Sequence, residues 1–216
     1  MGAITRSIAN NITTSGVFTS SAITNNSVTN ITSIPNEPAD GITFISSQTA
    51  SNSASLSFTS GLTSTYKAYK FVFSNIHPRT DAVSFQFNMS TDGGSNYNVT
   101  KTTTYVQSIH DEADTTASLS YNTGLDLAQS TSDKILAFNA GSGADESCSG
   151  SLMLFNPSST TYVKHFIGNV EYYYEANFSI QALTAGYGNT TSAVNAIIFR
   201  MSSGNFDGTI YLYGIK

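Results

Sequence analysis

The stretch Val83–Val99 reads Val-Ser-Phe-Gln-Phe-Asn-Met-Ser-Thr-Asp-Gly-Gly-Ser-Asn-Tyr-Asn-Val, and it decides the fold of the chain. Residues 83–90 alternate strictly between apolar and polar side chains, which only an extended strand turns into one apolar and one polar face. Asp92-Gly93-Gly94 predict a tight turn, because glycine adopts positive φ without a steric penalty. Tyr97 and Val99 restart the alternation, so we expect a return strand after the turn.

The same alternation recurs to the C-terminus in short segments separated by turn residues. Short strands at this spacing, with no helical period between them, predict an all-β antiparallel sandwich of two sheets. Their number favours a jelly-roll-like arrangement over a seven-stranded immunoglobulin-like domain. Residues 108–133 are polar and predict a long surface loop with one helical turn. The candidate strands are 42–46, 54–58, 66–73, 83–90, 97–106, 134–138, 148–155, 162–170, 178–183, 193–201 and 209–215.

Residues 1–40 have a different composition, with single apolar residues spaced among Ser, Thr and Asn. Such a segment alone cannot bury enough surface to offset an ordering cost of roughly 1–2 kcal/mol per residue. It is either a floppy leader or an extended arm that a partner orders, and the spaced β-branched residues favour the arm. We therefore divide the chain into an attachment or oligomerisation arm, 1–40, and a sandwich domain, 41–216. The residues expected to make the attachment are Ile4, Ile8, Ile12, Val17, Phe18, Ile23, Val28, Ile31 and Ile34.

The composition argues against several classes of function. Only 11% of the residues are charged, against about 25% in typical domains, so solubility rests on Ser, Thr and Asn, which suits a particle-bound or extracellular protein. A net charge of −5 without a basic patch argues against nucleic-acid binding. No apolar run approaches the ~18 residues of a membrane span. Cys148 is the single cysteine, so we expect no internal disulfide and a small, half-buried apolar residue in a strand.

Asp111, Glu112 and Asp114 beside His110 are candidate metal ligands. Their spacing matches no EF-hand loop and the histidines show no zinc spacing, so we expect a solvated loop and no cofactor. The chain carries no nucleophile elbow, phosphate-binding loop or dinucleotide fingerprint. The carboxylate pair of a glycoside hydrolase is spatial and stays open. Few carboxylates lie in the predicted strands, however, and we predict no enzymatic activity.

The tyrosines are the better candidates for binding. In the run Tyr172-Tyr173-Tyr174, alternation places the middle ring on the face opposite to its neighbours. An exposed tyrosine offers a flat apolar ring and a hydroxyl, which suit sugar rings and protein interfaces alike, although tyrosine is also common on ordinary sheet surfaces. The tyrosines predicted to contact a glycan or a partner are Tyr97, Tyr121, Tyr173 and Tyr187.

Several blocks of the chain resemble a family of small virion proteins of tailed bacteriophages, especially those of marine and cyanobacterial phages. The blocks are Tyr-Lys-Phe-Val-Phe-Ser-Asn-Ile-His-Pro at 69–78, Phe-x-x-Ser-Thr-Asp-Gly-Gly-Ser-Asn-Tyr at 87–97, Phe-Asn-Pro-Ser-Ser at 155–159 and Gly-Thr-Ile-Tyr-Leu-Tyr-Gly-Ile at 208–215. The leader is similar to theirs at 6–17 and 30–34. The resemblance implies a jelly-roll-like head on an N-terminal attachment segment, trimeric and displayed on the particle, and it supplies no catalytic residues.

The first hypothesis is therefore a non-enzymatic virion structural protein, made in the host cytoplasm and assembled onto the phage particle. As a tail-fibre or surface-fibre component it would attach to other virion proteins through its arm and adsorb to host glycans through its sandwich. The alternatives are a capsid decoration or cement protein, which binds coat subunits, and a free carbohydrate-binding or carbohydrate-hydrolysing module.

Overall fold

The computed structural model describes residues 41–216, which form twelve antiparallel strands and one short 3-10 helix at Thr123–Leu125. This part of the chain contains no helix long and apolar enough to cross a membrane. The strands are β1 (Ile42–Ser53), β2 (Ser55–Phe58), β3 (Ala68–Pro78), β4 (Val83–Ser90), β5 (Lys101–Asp111), β6 (Ala117–Tyr121), β7 (Lys134–Ala140), β8 (Cys148–Phe155), β9 (Lys164–Tyr174), β10 (Phe178–Gly188), β11 (Ala196–Met201) and β12 (Phe206–Ile215).

The strands pair in two ladders. The larger ladder runs β1-β12-β3-β8-β9-β10-β5-β6, and the smaller runs β7-β4-β11-β2. One residue pair, Ala140 with Tyr174, joins β7 to β9 and makes the whole a single continuous sheet. The two layers are thus linked at one edge, and the sheet is nearly closed on itself.

Eight of the strands have jelly-roll connectivity. Without the hairpins β5–β6 and β9–β10, the remaining order is β1-β12-β3-β8 in one layer and β2-β11-β4-β7 in the other. Along the chain, the first four of these strands, β1 to β4, alternate between the two layers. This order of eight strands forms two nested Greek keys. The prediction of an all-β antiparallel fold is confirmed. The two additional hairpins extend only the larger layer.

The core is a cluster of phenylalanine rings between the layers. Phe199 on β11 lies 5.2 Å, centroid to centroid, from both Phe71 and Phe73 on β3. Phe87 on β4 meets Phe166 on β9 edge to face at 5.1 Å. All of these rings are buried. Each such pair contributes about 0.5–1.5 kcal/mol beyond its area burial, so the cluster fixes how the layers sit on each other.

The opening stretch folds into the predicted strand but not into the predicted hairpin. Val83, Phe85, Phe87 and Met89 are buried, and the glycines at 93 and 94 have φ of 74° and 93°. However, β4 pairs with β7 and β11, and both of its edges are occupied. The residues after the turn therefore cannot pair with it over a full strand, and β5 begins only at Lys101.

The polar face of β4 is also covered, contrary to the prediction. Ser84, Asn88 and Ser90 are all buried. The segment 130–133 crosses this face: Asn88 Nδ2 donates to the carbonyl of Thr131 at 3.0 Å and to Asp133 Oδ1 at 2.9 Å. The alternation gave the strand correctly, but alternation cannot show that a distant polar segment returns to cover the polar side.

The predicted loop at 108–133 is partly wrong. β5 continues to Asp111, β6 pairs with it from Val106 to His110, and the expected helical turn is the 3-10 helix at Thr123–Leu125. The five residues of β6 are all exposed. Neither face of β6 is buried. Its sequence Ala-Ser-Leu-Ser-Tyr therefore shows only a short alternation from which to predict a strand, and β6 depends on hydrogen bonds to β5.

Candidate functional site

A shallow groove of about 480 Å³ lies on the outer face of the larger layer, where β8, β9, β10 and β5 run side by side. Alternation along β10 directs Ala182 and Thr184 inward and Leu183 and Tyr187 outward. The pairing then aligns Tyr187 with His165 on β9 and with Thr102 on β5. The groove is lined by Thr102, Thr103, Thr104, Phe155, His165, Phe166, Ile167, Ala185, Gly186 and Tyr187.

Small residues on β10 create the depression. Ala185 and Gly186 lie between the longer side chains of β9 and the threonines of β5. A Cβ on Gly186 would come within 2.5 Å of the Thr102 carbonyl oxygen, so only glycine fits at that position. Tyr187 and His165 form one wall, with ring centroids 6.2 Å apart and planes at 64°.

The groove is suited to a neutral ligand that has both an apolar face and hydroxyl groups. Its walls offer the rings of Tyr187, His165 and Phe155, and the threonines of β5 lie opposite them. The hydroxyls of these threonines already take part in hydrogen bonds within the protein, so the surface that the groove presents is largely apolar. None of the lining side chains is a carboxylate, a lysine or an arginine. Aromatic rings stack on the apolar faces of sugar rings, and hydroxyl and imidazole groups pair with the sugar hydroxyls. The arrangement offers binding rather than a pair of acid and base groups.

The outer face around the groove is unusually apolar. Phe44 on β1 is 56% exposed and meets Tyr213 on β12 edge to face at 5.7 Å. From Tyr213 the same cross-strand row continues through Lys70, Met153 and Ile167 to the groove. Large exposed apolar surfaces are characteristic of interaction sites. The other exposed large apolar side chains among residues 41–216 are Ile42, Leu119, Tyr121, Phe155, Tyr162 and Leu183.

A second depression, of about 380 Å³, is polar and acidic. The Tyr173 hydroxyl lies beside it and is 3.0 Å from both Glu112 Oε1 and Asn177 Oδ1. Tyr172, one residue before, is fully buried, which confirms the predicted alternation of the tyrosine run. The remaining lining is His110, Asp111, Asp145, Ser147, Glu171 and Ser179.

The acidic group of this second depression is engaged locally. Asp111 accepts hydrogen bonds from the backbone amides of Thr115 and Thr116, at 2.8 Å each, and from the Thr115 hydroxyl. The Thr115 hydroxyl bond is the largest cause of the lowered pKa of Asp111. His110 Nε2 lies 3.3 Å from Asp114. Within residues 41–216, no group of three or more His, Cys, Asp or Glu side chains is placed to hold a metal ion.

The four tyrosines selected from the sequence occupy different environments. Tyr187 lines the apolar groove and Tyr173 the acidic depression. Tyr121 is 52% exposed on β6, with its hydroxyl donating to Asp126. The hydroxyl of Tyr97 is buried in the turn after β4 and has no hydrogen-bond partner. The structure thus brings none of the four together. The nine arm residues from Ile4 to Ile34 lie outside the described residues, and their role stays a prediction.

Three buried lysines are the feature that the sequence reasoning missed. Lys101, Lys134 and Lys164 each have 0% exposure. Desolvation lowers the pKa of all three amines, to about 8 for Lys101 and Lys134. Each lysine is the first residue of its strand and lies two residues before an inward-facing residue, as Lys164 does before Phe166. This position in the alternation could have predicted that the lysines are buried.

Cys148 lies in a strand, as the sequence predicted, but it is fully rather than half buried. It is 1% exposed, and burial raises the pKa of its thiol far above the ordinary value.

No family model, curated protein or solved structure matches this chain.

Proposed function

We propose that this chain is a non-enzymatic structural protein of a tailed-phage particle, a trimeric tail-fibre or surface-fibre component. Residues 1–40 attach it to other virion proteins, and residues 41–216 display the outer face to the host surface. The observation that supports adsorption to glycans is the open groove between the rings of Tyr187 and His165 and the threonines of β5, which is lined by no carboxylate, lysine or arginine side chain.

A single groove of this kind binds weakly, because a shallow site buries little of its ligand. Three copies held at fixed spacing turn the second and third contacts into intramolecular events, which raises the overall avidity by factors of about 10²–10⁴. The proposal thus requires an oligomer for function, although each sandwich carries its own groove.

The test is a glycan array probed with the full-length protein and with two variants. Ala185→Leu fills the floor of the groove from the outer face, and Tyr187→Ala removes one wall. Each of the two variants should abolish binding of every glycan that the wild type binds on the array. Tyr211→Ala is the matched control, because Tyr211 lies on the same layer on β12, away from the groove. A silent array for the wild type, or binding that survives both groove variants, would refute adsorption through this groove.

The attachment role of residues 1–40 has a separate test. A chain beginning at residue 41 should fold, because the described core lies wholly within 41–216, yet it should fail to join particles during assembly. Particle incorporation is measured by complementation of phage that lack the protein. Normal incorporation of the shortened chain would contradict the role of the arm.

A capsid decoration protein is the second candidate, and the row from Phe44 to Ile167 favours it, because this row is apolar except for Lys70 and ends in two exposed apolar side chains. Such a row is better suited to a flat protein partner than to a hydrated glycan. The two candidates predict different positions on the particle. An electron cryomicroscopy map of the intact particle would show this protein at the tail or fibres in the first case and on the coat lattice in the second.

A further inference from the structure

The most unusual cluster outside the groove is a lysine, an asparagine and an aspartate on the covered side of β4. Lys101 Nζ lies 2.6 Å from Asn88 Oδ1, and both residues are buried, at 0% and 1% exposure. Asn88 Nδ2 in turn donates to Asp133 Oδ1 at 2.9 Å. An amine, a carboxamide and a carboxylate are therefore in contact where little water can compete.

We propose that Lys101 and Asn88 join in an intramolecular isopeptide bond. Nζ attacks Cγ of Asn88, the Nζ–Cγ bond forms, the Cγ–Nδ2 bond breaks, and ammonia leaves. The amine loses one proton, and the departing nitrogen gains it. No oxidant, reductant or co-reactant is needed, because one amide replaces another.

Each group is placed for one part of this reaction. The Met89 backbone amide donates to Asn88 Oδ1 at 2.9 Å, and this donor stabilises the negative charge that develops on the oxygen during attack. Asp133 accepts a hydrogen bond from Nδ2 and so holds the leaving nitrogen in place, and the proton that Nζ loses passes to Nδ2 within the tetrahedral adduct. Arg200 holds that carboxylate through contacts of 2.6 and 3.1 Å.

The amine itself is activated by its surroundings. Only a neutral amine is a nucleophile, and desolvation lowers the pKa of Lys101 to about 8, against the opposing charge of Asp133. Nζ is fixed by a second hydrogen bond, to the Val99 carbonyl at 2.7 Å. Because the fold already holds the two reacting groups in contact, the reaction avoids the entropy loss of a bimolecular encounter. An otherwise slow amide exchange thereby becomes feasible.

The two other buried lysines give an internal comparison. Lys134 Nζ donates to the backbone carbonyl of Leu125, and Lys164 Nζ donates to those of Tyr162 and Thr190. Backbone carbonyls of this kind have no leaving group that can depart without cutting the chain. The reaction is therefore expected at Lys101 and not at Lys134 or Lys164.

The test is the intact mass of the purified full-length protein, followed by fragmentation of its peptides. The wild type should be lighter than its sequence by one ammonia, about 17 Da, with Asn88 and Lys101 found in one branched peptide. Lys101→Arg and Asn88→Ala should have the full mass of their sequences. Lys164→Arg, a matched change at another buried lysine, should keep the loss.

Two outcomes would overturn the proposal. One is a folded wild type, with a strand-rich circular dichroism spectrum, at the full mass of its sequence. The other is a loss of ammonia that persists in Lys101→Arg, since cyclisation of an asparagine with its own backbone gives the same mass. The branched peptide that joins Asn88 and Lys101 distinguishes the two reactions in the wild type itself, so a variant that fails to fold does not weaken the test.

Discussion

Replacing the buried Lys134 with methionine should remove a pH dependence from the stability of the fold. The Lys134 amine has 0% exposure, donates to the Leu125 carbonyl at 2.8 Å and lies 4.9 Å from the centre of the Tyr105 ring. Desolvation lowers its pKa from 10.5 to about 8. That difference corresponds to about 3 kcal/mol between the charged and neutral forms.

The sign follows from proton counting. Between pH 8 and 10.5 the unfolded chain keeps this proton and the folded chain has lost it, so the unfolded state binds more protons and the free energy of unfolding rises with pH. Below pH 8 both states are protonated and the contribution is flat. From pH 7 to pH 9.5, Lys134 should therefore add about 2 kcal/mol to the wild type.

Urea denaturation of wild type and Lys134→Met at pH 7, 8, 9 and 9.5 measures this contribution, because groups common to both proteins cancel in the difference. At pH 7 the free energy of unfolding of Lys134→Met should differ little from that of the wild type. Removal of the buried charge stabilises the variant, but the Leu125 carbonyl loses its hydrogen-bond donor, which costs about 1–3 kcal/mol. Lys67→Met is the control, because Lys67 is exposed and its ammonium meets water in both states. Parallel pH curves for wild type and Lys134→Met would refute the reasoning.

Three further predictions concern the core and the turns. Phe199→Ala should lower the free energy of unfolding by about 3–5 kcal/mol in urea, whereas Ile167→Ala on the outer face should change it far less; equal losses would contradict the assigned core. Gly208→Ala, at φ 125° with a Cβ 2.5 Å from the Asn75 carbonyl oxygen, should cost more stability than Gly93→Ala, at φ 74° in open space, where about 1 kcal/mol of strain is expected. The Cys148 thiol should react with a thiol reagent only at the rate of unfolding, because burial also raises its pKa; rapid labelling of folded protein would disprove its burial.

The fold was predictable because strand periodicity is a local signal. Val83, Phe85, Phe87 and Met89 follow it, and all four lie in the core. The partner of a strand is not a local property. The tight turn after β4 suggested a hairpin, but β4 pairs with β11, whose residues are about 110 positions further along the chain.

The groove was predictable only in part for the same reason. Tyr187 was selected as an exposed ring, but its position opposite His165 and Thr102 depends on pairings across more than 20 and 80 residues. Asn88 was assigned to a solvent-facing side because it is one of the polar residues in the alternation. The segment that covers it, 130–133, has no apolar periodicity that would have indicated this contact. The contact with Lys101 therefore could not be anticipated from alternation.

The two hairpins that extend the larger layer carry most of the groove on their outward side chains and contribute to the core with their inward ones. Eight strands spaced by about 4.8 Å make this layer roughly 35 Å wide, and the groove is built almost wholly from β5, β9 and β10. Of the eight jelly-roll strands, only β8 contributes, through Phe155. Outward side chains on the inserted strands, such as Tyr187 and His165, can change without removing the inward Phe166 of β9 from the phenylalanine cluster, so the shape of the groove and the stability of the core can vary independently.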